Sequence, residues 1–286
     1  MTRQIFLNGV FLPEDQAHIP VMDRGLLFAD AIYEVTALLD GRMIDNDLHL
    51  ARLERSLTEI GIPLPIPLDQ IRDMQIELAR RHSLTDGTIY MQVSRGVEER
   101  NFIPSAGLTP TFLAFTQPKK LYGTPAQENG VAVALMPDPR WTRRDIKTVM
   151  LLGQVLVKQQ AKADGFDDVW MYEDGCITEG GSSTAFIITA EGTIVTRPNS
   201  SAILPGCTRQ AVMTLAKETG LTLQERAIRV DELHAASEAF LTSASSLVQP
   251  VVRLGPHVIG DGTPGPMTRR LQDIYITAAR QGERIV

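Results

Sequence analysis

One lysine, Lys147, stands in "RRDIKTVMLLGQVLVKQQA" (143–161) between a basic pair and a long apolar, glutamine-rich run. A lysine becomes a nucleophile only as the free amine, which desolvation favours. The ordinary alternative is a snorkelling lysine, with its stem on apolar surface and its head in water. Glu179 lies in "TEGGSS" (178–183), on a stretch that otherwise reads as a buried strand. It is either a solvated turn residue or a buried carboxylate with a partner, for which a pyridinium nitrogen would serve. "PGCTR" (205–209) sits directly ahead of a helical pattern, so its N–H groups and the Thr208 hydroxyl suit a phosphate unless Thr208 is a plain N-cap. "TSASS" (242–246) brings small hydroxyl residues to a strand end, as a turn or as further phosphate donors. Arg52, in "LHLARLERS" (48–56), faces the same anion or faces solvent. These features converge on one requirement: holding a phosphorylated electron sink beside a lysine.

The elements that must position them are legible in outline. "IFLNGVFLPE" (5–14) reads as a hairpin about Asn-Gly, and "AIYEVTALLDGRMI" (31–44) as a second turning at Asp40-Gly41. Asp47 is the expected cap of a helix in which Leu50, Leu53, Leu57 and Ile60 recur at helical spacing, ending near Gly61. A further helix is expected over 69–81, and strands over 88–96 and 111–118. The polar "KKLYGTPAQENG" (119–130) is the candidate linker. Beyond it come strand 131–137, the Lys147 segment, and a helix closed by Gly165. Strand 168–173, an Asp-Gly turn at 174–175 and a strand over "CITEGGSSTAFIIT" (176–189) follow. A hairpin carries "TIVTRP", a helix runs over 208–220, a strand and turn fall in "EAFLTSASSLVQPVV", and a carboxyl-terminal amphipathic helix closes the chain. The class is α+β, in two domains: a small one over 1–120 and a larger one over 121–286 that carries the lysine.

At 286 residues, with 43% hydrophobic and 22% charged residues, the composition is that of a soluble globular protein. The net charge of −6, with no basic stripe, argues against nucleic acid as a partner. Two cysteines without a CxxC pair argue against a disulfide scaffold or a metal site and fit a reducing compartment. The opening residues carry no apolar run long enough for a signal peptide or membrane helix, so a cytoplasmic location is expected, with no membrane partner.

In this order, "DRGLLFADAIYEV", "HLARL", "YMQVSRGVEERN", the Lys147 segment, "ITEGGSSTAFII", "ILPGCTR" and "LTSASS" make a chain that resembles the fold-type IV pyridoxal-phosphate enzymes. That group includes branched-chain aminotransferases, aminodeoxychorismate lyase and D-amino acid aminotransferases. The likeness runs from about residue 5 to residue 250, and "DRGLLFADAIYEV" with "RGVEERN" is most similar to the D-amino acid subgroup. The resemblance implies the family's two-domain α+β fold, a pyridoxal 5′-phosphate cofactor and a homodimer. It implies that Lys147 forms the Schiff base and shuttles the proton, that Glu179 pairs with the pyridine nitrogen, and that Arg52 grips the phosphate. Thr208, the backbone at Cys207, Ser243 and Ala244 would complete the phosphate cup, with Leu204 against the ring. Tyr33, Val35, Tyr90, Arg100 and Phe102 would line the substrate side, Arg100 reaching in from a second subunit.

The implied reaction is transamination between a D-amino acid of the D-alanine or D-glutamate type and a 2-oxo acid. The alternatives on the same scaffold are an (R)-amine transaminase, a branched-chain L-amino acid aminotransferase and a lyase of the aminodeoxychorismate type. An enzyme for simple amines would not need Arg100 for an α-carboxylate. A non-catalytic protein that keeps the fold would not need Lys147 and Glu179. Two positions depart from the subgroup: Phe102 stands where it often has histidine, and Ala37 where some relatives place lysine. A phenyl ring cannot donate a hydrogen bond, so Phe102 offers apolar contact only.

Overall fold

Asn8 and Gly9 turn the chain with φ of 47° and 92°, joining β1 (Gln4–Leu7) to β2 (Val10–Pro13) as an Asn-Gly pair does in a hairpin. A short helix, α1 (Arg24–Phe28), precedes β3 (Ala31–Leu39). Asp40 and Gly41, both at positive φ, return the chain as β4 (Arg42–Ile44). Helices α2 (Asn46–Glu59) and α3 (Leu68–Arg81) follow, then β5 (Gly87–Ser94) and β6 (Thr111–Pro118). Among the described residues these strands form one antiparallel six-stranded sheet, in the order β2-β1-β6-β5-β3-β4.

The computed structural model describes residues 3–286. The chain divides into two compact units. One takes the chain up to Lys120 with Ile146–Met150 and Gly282–Val286, and the other takes Leu121–Asp145 and Leu151–Gln281. The sequence places residues 121–286 in one piece with the lysine in the second domain, whereas the fold groups Lys147 with the first unit. The reason is strand-like pairing: the Tyr33 N–H donates to the Lys147 carbonyl at 3.0 Å and the Val149 N–H to the Ala31 carbonyl at 3.1 Å.

The register of the first sheet decides what each face carries. Tyr33 pairs with Gln92 and Val35 with Tyr90, so Tyr33, Val35 and Tyr90 share one face. Glu34, Thr36 and Leu38 point the other way. There Leu38, Ile89 and Met91 pack with Leu50, Leu53 and Leu57 of α2 and Ile71 and Leu78 of α3 in a continuous core. Asp47 is not the cap of α2. Asp45 holds that position in a left-handed conformation with no side-chain cap, and Asp47 sits exposed in the first turn, paired with Arg72. An acid in the first turn still complements the helix dipole, which is why the two roles look alike in a sequence.

In the second unit the expected linker is built structure. It contains α4 (Pro125–Asn129), whose Thr124 and Gln127 form a capping box. Buried Gln127 also donates to the Leu121 and Ser246 carbonyls at 2.8 and 3.0 Å. Then come β7 (Val131–Pro137), α5 (Leu152–Ala163), β8 (Asp168–Glu173), β9 (Cys176–Gly180), β10 (Thr184–Ile188) and β11 (Ile194–Thr196). Helix α6 (Cys207–Glu218), β12 (Leu223–Glu225), β13 (Ile228–Arg229), β14 (Glu238–Ser243), β15 (Leu247–Leu254), β16 (His257–Val258) and α7 (Pro266–Ala279) complete it. The strand expected over 176–189 is two strands, because the Gly180 N–H turns back to the Ser183 carbonyl at 2.7 Å. Among the described residues the sheet runs β12-β11-β10-β14-β15-β7-β8-β9-β13, with parallel pairs at β7–β8, β7–β15 and β11–β12. Its core holds Trp170, Phe186 and Phe240, the last two stacked at 4.6 Å. Among the described residues no helix is long and apolar enough to cross a membrane.

Candidate active site

In the first unit Lys147 lies half-buried in an extended segment, five residues before α5 begins. Its Nζ stands 4.1 Å from the centroid of the Tyr33 ring, a cation–π contact. Tyr33 stacks on Tyr90 at 5.6 Å, and Tyr90 on Phe115 at 4.8 Å. Burial, with Tyr33 beside it, pushes the Tyr90 hydroxyl well above the usual phenol range, and it donates to Gln92 Oε1 at 2.8 Å. The expected substrate-side residues Tyr33, Val35 and Tyr90 therefore share a face with the lysine amine.

Arg52 lies on the opposite face of β3 and is not a solvated helix residue. It is 8% exposed, and its Nε and Nη2 donate to Glu34 Oε1 and Oε2 at 2.7 and 2.9 Å. His49 Nδ1 lies 2.8 Å from Oε2 of the same carboxylate. Burial alone would raise the pKa of Glu34, which is fully enclosed. The Arg52 guanidinium and His49 hold it well below the usual carboxylate range instead. Glu34 and His49 were not expected from the sequence. The signal was a lone glutamate in an apolar strand, with His49, Arg52 and Ser56 at helical spacing on the facing helix.

Arg100 and Phe102 lie exposed on the loop between β5 and β6. The Arg100 guanidinium carbon stands 5.2 Å from the Phe28 ring centroid and 5.4 Å from that of Phe102. Ala37, the other departure from the subgroup, is buried in β3.

In the second unit Glu179 lies near the end of β9 and is 4% exposed. Both its oxygens accept from the Leu204 N–H at 3.2 Å, and it is ion-paired with Arg140. Arg140 is held in turn by Asp138, through Nε to Oδ1 at 2.9 Å and Nη2 to Oδ2 at 2.7 Å. Burial disfavours a charged Arg140, but Asp138 and Glu179 outweigh it and keep the guanidinium protonated. A buried glutamate with a partner is thus what the structure contains. The partner supplied by the chain, Arg140, was missed because it lies 39 positions away, beyond any local period.

Helix α6 opens at Gly206 with no side-chain cap, so Thr208 is not a plain N-cap, and Cys207 and Thr208 are buried there. A Cβ on Gly206 would come within 2.8 Å of Thr184 Oγ1. Only glycine leaves that space open. Thr184 pairs across the sheet with Thr242, next to Ser243 and the turn at Ala244. The register brings the helix start and the "TSASS" turn to one end of the sheet. The hydroxyls of Thr242 and Ser183 are buried there without a hydrogen-bond partner. An uncapped helix start beside unpartnered hydroxyls and a space kept clear by glycine suits an anionic group such as a phosphate.

Residues 31–254 match the model of the amino-transferase class IV family. The chain belongs to that family and is an aminotransferase. It is 36% identical over 273 residues to the D-alanine aminotransferase of Bacillus licheniformis, covering 94% of each chain. Solved structures share its fold, two of them branched-chain aminotransferases. The branched-chain amino acid aminotransferase of Escherichia coli has a TM-score of 0.91 at 24% identity, over 97% of this chain and 94% of that one. The branched-chain amino acid aminotransferase of Thermobaculum terrenum, solved in its PLP-form, has a TM-score of 0.87 at 24% identity, over 99% and 95%.

Proposed function

We propose that the chain transfers amino groups between D-amino acids with small or acidic side chains, such as D-alanine and D-glutamate, and 2-oxo acids. It does so with pyridoxal 5′-phosphate, as a cytoplasmic homodimer to which Arg100 is contributed across the subunit boundary. The observation that carries the substrate class is the likeness, along 94% of the chain, to D-alanine aminotransferases. Two free cysteines fit a reducing compartment.

When bound, the cofactor supplies a carbonyl that condenses with amines and a ring that takes up electrons from the substrate carbon. The Lys147 amine anchors it between turnovers and moves the proton at the substrate Cα. The Tyr33 ring, one face against Nζ, holds that amine in a fixed place. Glu179, paired with Arg140 and accepting the Leu204 N–H, would hold the proton on the ring nitrogen. Thr208, Ser243 and the backbone at Cys207 and Ala244 would hold the phosphate, with Leu204 beside the ring, and Arg52 would be its charged partner. Tyr33, Val35 and Tyr90 line the substrate side, and Arg100 forks onto the α-carboxylate.

The test is a half-reaction screen in which the cofactor spectrum is followed after mixing the enzyme with D-alanine, L-leucine or (R)-1-phenylethylamine. D-alanine should react fastest. A faster reaction with L-leucine would overturn the D-specific reading, and a faster one with the amine would move the chain to the (R)-amine transaminases.

A further inference from the structure

Arg24 is an unusually committed arginine. Only 3% exposed, it donates through Nε to Asp30 at 2.9 Å and through Nη1 to Glu98 at 2.8 Å. It also reaches the backbone of the Arg100 loop, donating to the Asn101 carbonyl at 2.5 Å and the Phe102 carbonyl at 3.2 Å. Glu98 Oε2 accepts the Ser105 N–H at 3.1 Å, tying the far side of the loop to the same cluster. The two carbonyls that follow Arg100 are therefore fixed to a buried point on α1.

That backbone anchor is matched by a side-chain one. The Phe28 ring lies 4.6 Å from the Arg24 guanidinium carbon and 5.2 Å from that of Arg100. Phe102 stands 5.5 Å from Phe28, tilted by 55°, and 5.4 Å from Arg100. Among the described residues no carboxylate forms an ion pair with Arg100, so its N–H donors are not spent on the chain's own acids. A guanidinium held by ring faces keeps its edge, and hence its N–H fork, for a carboxylate.

We infer that Phe102, with Phe28, is a positioning residue for substrate recognition: the two rings pre-order Arg100 for the α-carboxylate, making up in orientation for the hydrogen bond that a histidine at 102 would donate. This rests on the reading of Arg100 as the carboxylate ligand. Pre-ordering lowers the entropy lost when a long side chain is fixed on binding, so it acts on affinity rather than on the chemical step. It also distinguishes ring character from bulk. Leucine at 102 would keep the apolar surface and lose the quadrupole, whereas tryptophan would keep both.

The test compares Phe102→Leu, Phe102→Trp, Phe28→Leu and Arg100→Ala in the loaded enzyme. Each leucine variant should raise KM for D-alanine by about two- to fivefold, the scale of one exposed cation–π contact, with kcat little changed. Phe102→Trp should restore KM, and KM for (R)-1-phenylethylamine, which has no carboxylate, should rise less than KM for D-alanine in either leucine variant. Independently of activity, the Arg100 Nε–H resonance should carry a ring-current shift in the wild type that shrinks in Phe102→Leu. An unchanged KM and an unchanged resonance in Phe102→Leu, with Arg100→Ala clearly impaired, would overturn the clamp alone. Equal KM increases for D-alanine and the amine would assign Phe102 to general packing and overturn it too. An Arg100→Ala variant unimpaired on D-alanine would overturn the carboxylate reading itself and the clamp with it.

Discussion

Glu34 in the first unit and Glu179 in the second are both almost wholly buried, and each is paired with an arginine. With the proposed roles of Arg52 and Glu179, the support runs in opposite directions. Around Glu34 the carboxylate is enclosed and serves the arginine: it fixes Nε and Nη2 of Arg52, and His49 steadies its second oxygen. Around Glu179 the arginine serves the carboxylate: Arg140 is gripped by Asp138, and Glu179 is the member assigned to an outside partner. A buried ion pair is weak evidence for stability taken alone. Two pairs of the same composition can thus differ in which member does the work, and only the second set of partners tells them apart.

The largest effect should come from the residue that neither pair can replace. Lys147→Ala should abolish transamination, because in the proposed role one amine both anchors the cofactor and moves the proton. The variant should still retain cofactor through the phosphate contacts but lose the covalent attachment, which mass spectrometry after borohydride treatment reads directly. Turnover near the wild-type rate would remove Lys147 from its assigned role.

Glu179→Gln comes next. A neutral amide cannot hold the ring nitrogen protonated, and kcat should fall by about a hundredfold or more, as for loss of one preorganised electrostatic partner. Arg140→Gln should slow the enzyme less, since Glu179 keeps the Leu204 N–H. If Arg140→Gln were the more damaging of the two, the direction of support in this pair would be reversed.

Arg52→Ala and Glu34→Gln should separate in the other pair. If Arg52 holds the phosphate as proposed, removing the guanidinium costs a charge-assisted contact of about 1.5–3 kcal/mol, or roughly ten- to a hundredfold in cofactor retention. Glu34→Gln leaves Arg52 buried without its anion, and breaking such a pair costs about 3–5 kcal/mol of fold stability. Its loss of cofactor should be the smaller of the two and its loss of thermal stability the larger. Cofactor titration and thermal melts read the two effects separately. Equal cofactor loss without loss of stability would mean that Glu34 acts only by aiming Arg52 and adds nothing to the fold.

What the sequence disclosed follows the range of the interactions. The Asn8-Gly9 and Asp40-Gly41 hairpins and the Leu50–Leu53–Leu57 stripe are local patterns, and they were readable. The capping box at Thr124–Gln127 was equally local but was hidden inside a polar stretch read as a linker. Glu34 with Arg52, and Glu179 with Arg140, join residues 18 and 39 positions apart, and no local period reports such pairs. Lys147 stood out in the sequence by its place ahead of an apolar run, but nothing local gave its segment a conformation. The pairing with β3 that makes it extended depends on a strand more than a hundred residues earlier.

The smallest effect, and the one that isolates Glu34 most cleanly, is its contribution to acid stability. Its folded pKa lies below the unfolded value because Arg52 and His49 outweigh the burial that would raise it. The sign follows from linkage: a depressed carboxylate contributes stability that is fully present above the unfolded pKa, about 4.3 for glutamate, and is lost as pH falls through the range below it. Asp30 and Asp138 are also held low by arginines, Arg95 and Arg24 for the first and Arg140 for the second, against burial that would raise them. The wild-type acid limb therefore sums several groups, and the difference between wild type and Glu34→Gln isolates one of them. Between pH 6 and pH 3 the wild type should lose stability faster than the variant, and the gap between them should narrow as pH falls. Melting curves at half-unit intervals measure that gap. A gap that stayed constant down to pH 3 would mean that Glu34 keeps the same ionisation in the folded and unfolded chain, and that its pairing with Arg52 contributes nothing to the pH dependence.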